Sequence, residues 1–123
     1  MTTVAIQVPA YQEAHTLPKT LRAINEQDTP DEYDLRKEAW VTRSEDRRGV
    51  CSTWQAAQVV EGWEPREAPS GKLAARNAAH DDAIGREVDV ILAWDADAPP
   101  LGEGVLAALL EPLGDGVVCA NST

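Results

Sequence analysis

Phenylalanine is missing from this chain of 123 residues, methionine occurs once, and lysine is confined to Lys19, Lys37 and Lys72 against eight arginines. Cysteine is nearly as scarce. Cys51 and Cys119 are too few and too isolated for a disulfide framework or a zinc site, and read as buried or neutral thiols in a cytoplasmic protein. No apolar run approaches the ~20 residues of a membrane span. The start, Met1-Thr2-Thr3-Val4, lacks a basic region and passes straight into a strand-like segment, which argues against a signal peptide. Positive charge is in short supply too: 11 Lys and Arg face 21 Asp and Glu, for a net charge of -10. With no basic stripe, nucleic acid is not an expected partner. An acidic composition with little lysine and no phenylalanine suggests a halophilic source, in whose salt the self-repulsion is screened. An ordinary acidic cytoplasmic protein is the alternative.

What is present is enough for a core. Apolar residues make up 43% of the chain, and the length corresponds to one domain or part of one, residues 1–123. No repeat or low-complexity linker interrupts it. Val4-Ala5-Ile6-Gln7-Val8-Pro9 reads as a first strand, and Leu17, Leu21 and Ile24 then recur at helical spacing behind Thr16 as N-cap. A second strand is expected over Ala39 to Thr42, then a helix from Ser52 or Thr53 to about Val60. One short strand or none falls between Gly62 and Pro69. Ser70 is expected to cap a helix that Gly85 ends, and Val88 to Trp94 is the strongest strand. A turn at Pro99 to Gly104, a helix carrying Val105 to Leu113 and a strand at Val117 to Ala120 complete the reading. Strands alternating with helices of crossover length imply an α/β fold, a mainly parallel sheet flanked by helices.

The main strand runs into Asp95-Ala96-Asp97. Side chains at i and i+2 of an extended backbone share a side, so two carboxylates are expected to converge there. Their repulsion is relieved by a divalent cation, and hard oxygen donors suit Mg²⁺ or Mn²⁺. The competing explanation is an Asp-rich turn, which Pro99 and Pro100 also favour. Gly71-Lys72 is not a phosphate-binding loop of the Walker type, because the first glycine is missing and Leu73 stands where Ser or Thr belongs. His15 and His80 have no ligand partners at recognisable spacing and read as surface or core residues. Trp40, Trp54 and Trp63 read as packing residues, and Trp94 as a buried strand residue or a wall beside the aspartates.

Three segments together resemble the family 2 glycosyltransferases. They are Val4 to Glu13 (strand, then Pro-Ala-Tyr-Gln-Glu), Gly71-Lys72-Leu73-Ala74-Ala75-Arg76-Asn77, and the strand ending in Asp95-Ala96-Asp97. They occur in family order, and the resemblance runs from Val4 to about Thr123. It implies the GT-A fold, a Rossmann-like nucleotide-binding half, and transfer of a sugar from a nucleoside-diphosphate donor. It implies that Tyr11 and Glu13 line the base and ribose pocket, that Lys72 and Arg76 lie near the nucleotide, that Asp95 touches ribose or metal, and that Asp97 holds Mn²⁺ or Mg²⁺ on the diphosphate. Glu45 or Asp46 stands where the family has an acidic residue after the second strand, although Val41 to Asp46 departs from the usual Val-Asp-Asp-Gly-Ser. The family's acceptor-binding half, which supplies the catalytic base, has no counterpart here, so the acceptor (glycan, lipid or protein) and the base stay unassigned. Two alternatives remain. One is a non-catalytic donor-half remnant that assembles as a homo-oligomer or with a partner chain, in the cytoplasm or through that partner at the inner face of the membrane. The other is an Asp-x-Asp phosphotransferase with Asp95 as nucleophile, against which the late position of the pair and Pro99 both speak.

Overall fold

The computed structural model describes residues 2–27, 29, 32–45, 48–99, 104 and 119–121. Its centre is β1 (Thr2–Ala10), which pairs in parallel with β2 (Tyr33–Val41) on one side and β4 (Val90–Ala93) on the other. β3 (Glu64–Glu67) extends the sheet beyond β2 and β5 (Cys119–Asn121) extends it beyond β4. The order is β3-β2-β1-β4-β5, with every pairing parallel. The chain first winds outward from β1 to β3 and then returns to the other side of β1. In such doubly wound sheets the ligand crevice opens where the winding reverses, at the carboxyl ends of the strands. Here that point lies between β1 and β4. The fold is a parallel α/β fold of Rossmann-like type.

The alternation of β1 decides what covers each face. Val4, Ile6, Val8 and Ala10 point to one face, where they pack with Leu17, Leu21 and Ile24 of α1 (Leu17–Asn25) and Ala57 of α2 (Ser52–Gln58). The 17, 21, 24 spacing puts the three α1 side chains on one stripe, and all three are fully or almost fully buried. Each such side chain contributes about 1.5–3 kcal/mol by leaving water. Ala5 and Gln7 point to the opposite face, under α3 (Lys72–Gly85), which lays Ala75, Ala79 and Ala83 on the sheet. Small residues let that helix approach closely enough for Gln7 Nε2 to donate to the Ala79 carbonyl at 2.7 Å.

Several boundaries differ from the sequence expectation, each for a local reason. β2 begins at Tyr33 rather than Ala39, because Asp34, Arg36 and Glu38 alternate onto the α3 face while Tyr33 and Leu35 face the apolar core. Polar residues hid that strand. β4 keeps only Val90–Ala93 of the expected Val88 to Trp94, since Glu87 at φ 59° turns the chain just before it. Gly71, not Ser70, occupies the position before α3, at a φ of 97° that a side chain rarely adopts. Thr16 does precede α1 but makes no capping bond through its side chain. The short strand between Gly62 and Pro69 is β3. The expected helix over 105–113 lies outside the described residues. Among the described residues, no helix is long and apolar enough to cross a membrane.

Lys37 is an anomaly on the apolar face. Its Nζ donates to Asn25 Oδ1 at 2.9 Å, an oxygen that also accepts Trp63 Nε1 at 3.0 Å, and among the described residues no carboxylate pairs with it. Burial lowers its pKa below the usual lysine value. A group so shifted costs stability while charged, and the cost disappears as pH rises through the lowered folded pKa towards the unfolded value. Lys37→Met is therefore expected to raise the urea midpoint at neutral pH, by about 1 kcal/mol in stability, and to flatten the gain in stability seen at alkaline pH.

Candidate functional site

The reversal point between β1 and β4 carries a cleft of about 310 Å³. Pro9 and Ala10 at the end of β1 and Thr42 after β2 form part of its wall, with Gly71 and Ala75 of the α3 start opposite. Into it project Tyr11, Glu13, Lys72, Asp95 and Asp97. Five of the eight residues singled out from the sequence thus meet at one place. Arg76 stands behind that wall: its NH2 reaches Asp95 Oδ1 at 3.4 Å, the same distance at which Lys72 Nζ approaches that oxygen. Asp46 lies outside the described residues. Glu45 belongs elsewhere, lining a neighbouring hollow with Gln12, His15 and Ser44, near Arg43 at 3.9 Å.

The two aspartates converge for a different reason from the one the sequence suggests. β4 has already ended at Ala93, so strand alternation does not aim them. A turn does. The Ala98 N–H donates to the Asp95 carbonyl at 3.2 Å, and Trp94 Nε1 donates to the Ala98 carbonyl at 2.6 Å. Trp94 is buried in the core and clamps the turn from below rather than walling the cleft. Thr20, fully buried within α1, donates its hydroxyl to the Ala96 carbonyl at 2.7 Å. Linear reading missed Thr20. Its only signal was a hydroxyl set in the apolar stripe between Leu17 and Ile24. Thr20→Val is expected to lose about 1–2 kcal/mol by orphaning the buried Ala96 carbonyl. Because that carbonyl sits between the two aspartates, any Mn²⁺ affinity these aspartates confer should fall several-fold as well. Denaturant titration and calorimetry check the two effects, and unchanged Mn²⁺ affinity would show that the hydroxyl does not set the turn.

Glu13 is held on the facing loop. Its N–H donates to Thr53 Oγ1 at 3.0 Å, and its Oε1 accepts the Tyr11 N–H at 3.2 Å. The side chain therefore braces the loop. Burial raises its pKa above the ordinary glutamate value, the Tyr11 N–H works against that rise, the Asp97 charge adds to it, Lys72 opposes it and Asp95 adds again. Glu13 thus senses both aspartates across the cleft. A cation placed among them would favour the ionised form.

The donor set fits a hard divalent ion. Only oxygen ligands are offered, and Asp97 is exposed and, among the described residues, carries no hydrogen bond or ion pair. No group of three or more ligating side chains is assembled among the described residues. Mg²⁺ and Mn²⁺ sites that keep waters and substrate oxygens need only one or two carboxylates. The cleft also offers one cation, Lys72, with Arg76 behind it against Asp95, so a metal and an anion can be held side by side.

Fold and cleft together define a Rossmann-like α/β domain with a mixed acidic and basic crevice at its winding reversal. No family model matches the sequence, and no curated protein matches it.

Proposed function

We propose that this chain is a metal-dependent, glycosyltransferase-like domain that binds a nucleoside-diphosphate sugar, as the resemblance to family 2 glycosyltransferases implies. The observation that carries the reading is the convergence of Tyr11, Glu13, Lys72, Asp95 and Asp97 on one cleft at the carboxyl ends of β1 and β4. Asp95 and Asp97 would hold Mn²⁺ or Mg²⁺, which when bound supplies a Lewis acid for the leaving diphosphate. Lys72 and Arg76 would add charge-assisted contacts to phosphate oxygens. Tyr11, about half exposed at 53%, offers a ring face to a base. The acceptor, whether glycan, lipid or protein, would approach from the open side.

Binding without turnover is the second reading. Among the described residues, the cleft is lined by no titratable side chain beyond Tyr11, Lys72 and the three carboxylates. None is thereby left over as an obvious base for an acceptor hydroxyl. Calorimetry with UDP- and GDP-sugars, with and without Mn²⁺ and in high salt, tests the common claim. Metal-dependent binding of at least one nucleotide is expected. No such binding overturns both readings, and release of free nucleoside diphosphate separates transfer or hydrolysis from binding alone.

A further inference from the structure

A second hollow, of about 290 Å³, lies beside the cleft on the other side of the loop that follows β1. That loop divides its side chains between the two. Tyr11 and Glu13 line the cleft, while Gln12 and Ala14 line the hollow, together with His15. Ser44 and Glu45 after β2, and Ser52 and Thr53 of α2, complete the polar lining. Two hydrogen bonds fix the partition. The Glu13 N–H donates to Thr53 Oγ1 at 3.0 Å, and Gln12 Nε2 donates to Ser44 Oγ at 3.1 Å. Gln12 takes a φ of 50°, a left-handed backbone uncommon outside glycine. Such strain persists only where the surroundings impose it, and it gathers at ligand-binding positions.

What the hollow can hold follows from its groups. Thr53 is only 3% exposed. Its oxygen accepts the Glu13 N–H, but among the described residues nothing accepts its hydroxyl hydrogen. A buried donor left unspent is costly until a partner takes it. The Ser44 oxygen accepts from Gln12 and has its own hydrogen still to give, and the Ser52 hydroxyl makes no hydrogen bond among the described residues. These hydroxyl donors stand beside an amide, an imidazole and a carboxylate. Among the described residues no lysine or arginine lines the hollow, so Glu45 repels an anion there. Arg43 comes within 3.9 Å of Glu45, but its guanidinium lies over the Trp54 ring. No tyrosine or tryptophan lines the hollow to stack on a base, and no group of three ligating side chains is assembled among the described residues to hold a metal. Ala14 and Val50 are its whole apolar share. The ligand that matches such a lining is uncharged and carries many hydroxyls, each able to donate and to accept. We propose that the hollow is a subsite for a neutral saccharide.

The subsite itself does not depend on what the cleft binds. Its meaning for a reaction does, and that step rests on the proposed function. With a sugar donor in the cleft, a saccharide held across the same loop makes the acceptor a glycan rather than a lipid or a protein. One sugar unit is anchored in the hollow while a neighbouring unit passes over the loop towards the cleft.

Amide nitrogen-15 spectra of the full chain, titrated with maltose, cellobiose, lactose and N,N′-diacetylchitobiose in the absence of metal and nucleotide, test this. At least one disaccharide is expected to give saturable shifts, with a dissociation constant near millimolar because each neutral hydrogen bond adds little. The shifts should fall on Gln12, His15, Ser44, Ser52 and Thr53 and spare Lys72 and Asp97. Ser52→Ala breaks no hydrogen bond among the described residues. It should keep the wild-type urea midpoint and bind about fivefold more weakly, the equivalent of one hydrogen bond. Thr53→Val should weaken binding likewise, and Thr53→Ser should restore it. No saturable shift with any of the four sugars, shifts centred on Lys72 and Asp97, or wild-type affinity in Ser52→Ala and Thr53→Val overturns the proposal. A parallel titration with UDP and Mn²⁺ keeps the two readings apart. Shifts in neither cavity remove the cleft's function and the acceptor assignment but leave the saccharide subsite standing, whereas UDP shifts centred on the hollow overturn the subsite.

Discussion

Replacing Glu38 with alanine is expected to cost a large share of the chain's folding stability and to lower its urea midpoint sharply. Glu38 is 1% exposed in the middle of β2, yet it is a carboxylate. Arg86 NH2 donates to its Oε2 at 2.6 Å, while Gln7 Nε2 and Trp40 Nε1 both donate to its Oε1 at 3.1 Å. Arg66 lies 3.9 Å away and stacks over the Trp40 ring. Burial works against the Arg86 charge, but Glu38 and Asp82 outweigh it and hold its pKa above the ordinary arginine value. Removing one member of such a group strands the others. The usual cost is about 3–5 kcal/mol, against a total stability of about 5–15 kcal/mol for a typical domain. Glu38→Gln keeps an acceptor in place and should lose much less. A double replacement of Glu38 and Arg86 by methionine should be more stable than Glu38→Ala alone, since no orphaned charge remains. Urea titrations of the three variants check the ordering. A Glu38→Ala midpoint within error of the wild type would show that the arginines find solvent instead.

The second large effect is at the cleft, and the two aspartates should fail in opposite ways. Asp97 is exposed and has no hydrogen bond or ion pair among the described residues, so Asp97→Ala should leave stability unchanged. If it carries the metal, Mn²⁺-dependent affinity for UDP or GDP should fall by about 100-fold or more, beyond the losses typical of outer-shell changes. Asp95 has a second duty, because both Lys72 and Arg76 rest against its Oδ1. Asp95→Asn should also abolish the metal dependence, but it releases both cations. Binding of the nucleotide without metal should therefore strengthen relative to the wild type, most clearly at low ionic strength. Calorimetry with and without Mn²⁺ resolves the two signatures. Wild-type affinity in Asp97→Ala would remove the metal from the site.

The fold was legible where one rule governed a segment. Val4 to Val8 and Val90 to Ala93 are short, branched or apolar, and the helical stripe Leu17, Leu21, Ile24 has a single period. The first half of β2 was not legible, because Asp34, Arg36 and Glu38 read as loop: Asp34 and Arg36 pair with each other at the surface, and Glu38 is accommodated only once Arg66, Arg86 and Gln7 are brought to it. Burial of a charge depends on partners that adjacent residues cannot reveal. The cleft was legible through Tyr11, Glu13, Lys72, Asp95 and Asp97, whose spacing survived folding. Its supports were not, because Thr20 and Thr53 act through single hydroxyls on loops far away in the chain. Glu45, one of the two acidic residues left open after the second strand, lines a separate hollow, since the path of that loop follows from contacts such as the Arg43 guanidinium over Trp54.

The two layers that sandwich the sheet are made of unlike materials. One is held by interlocking leucine and isoleucine, the other by alanines, Ile91, one glutamine and a cluster of ions. Lifting α3 away would uncover less oily surface than lifting α1, so such an excursion should respond more weakly to urea yet strongly to salt. Amide protons of this helix should accordingly exchange through a detached state that leaves β1 and α1 intact. Because Lys72 and Arg76 ride on that helix, each excursion would also carry the cationic side of the cleft out of reach of the anion.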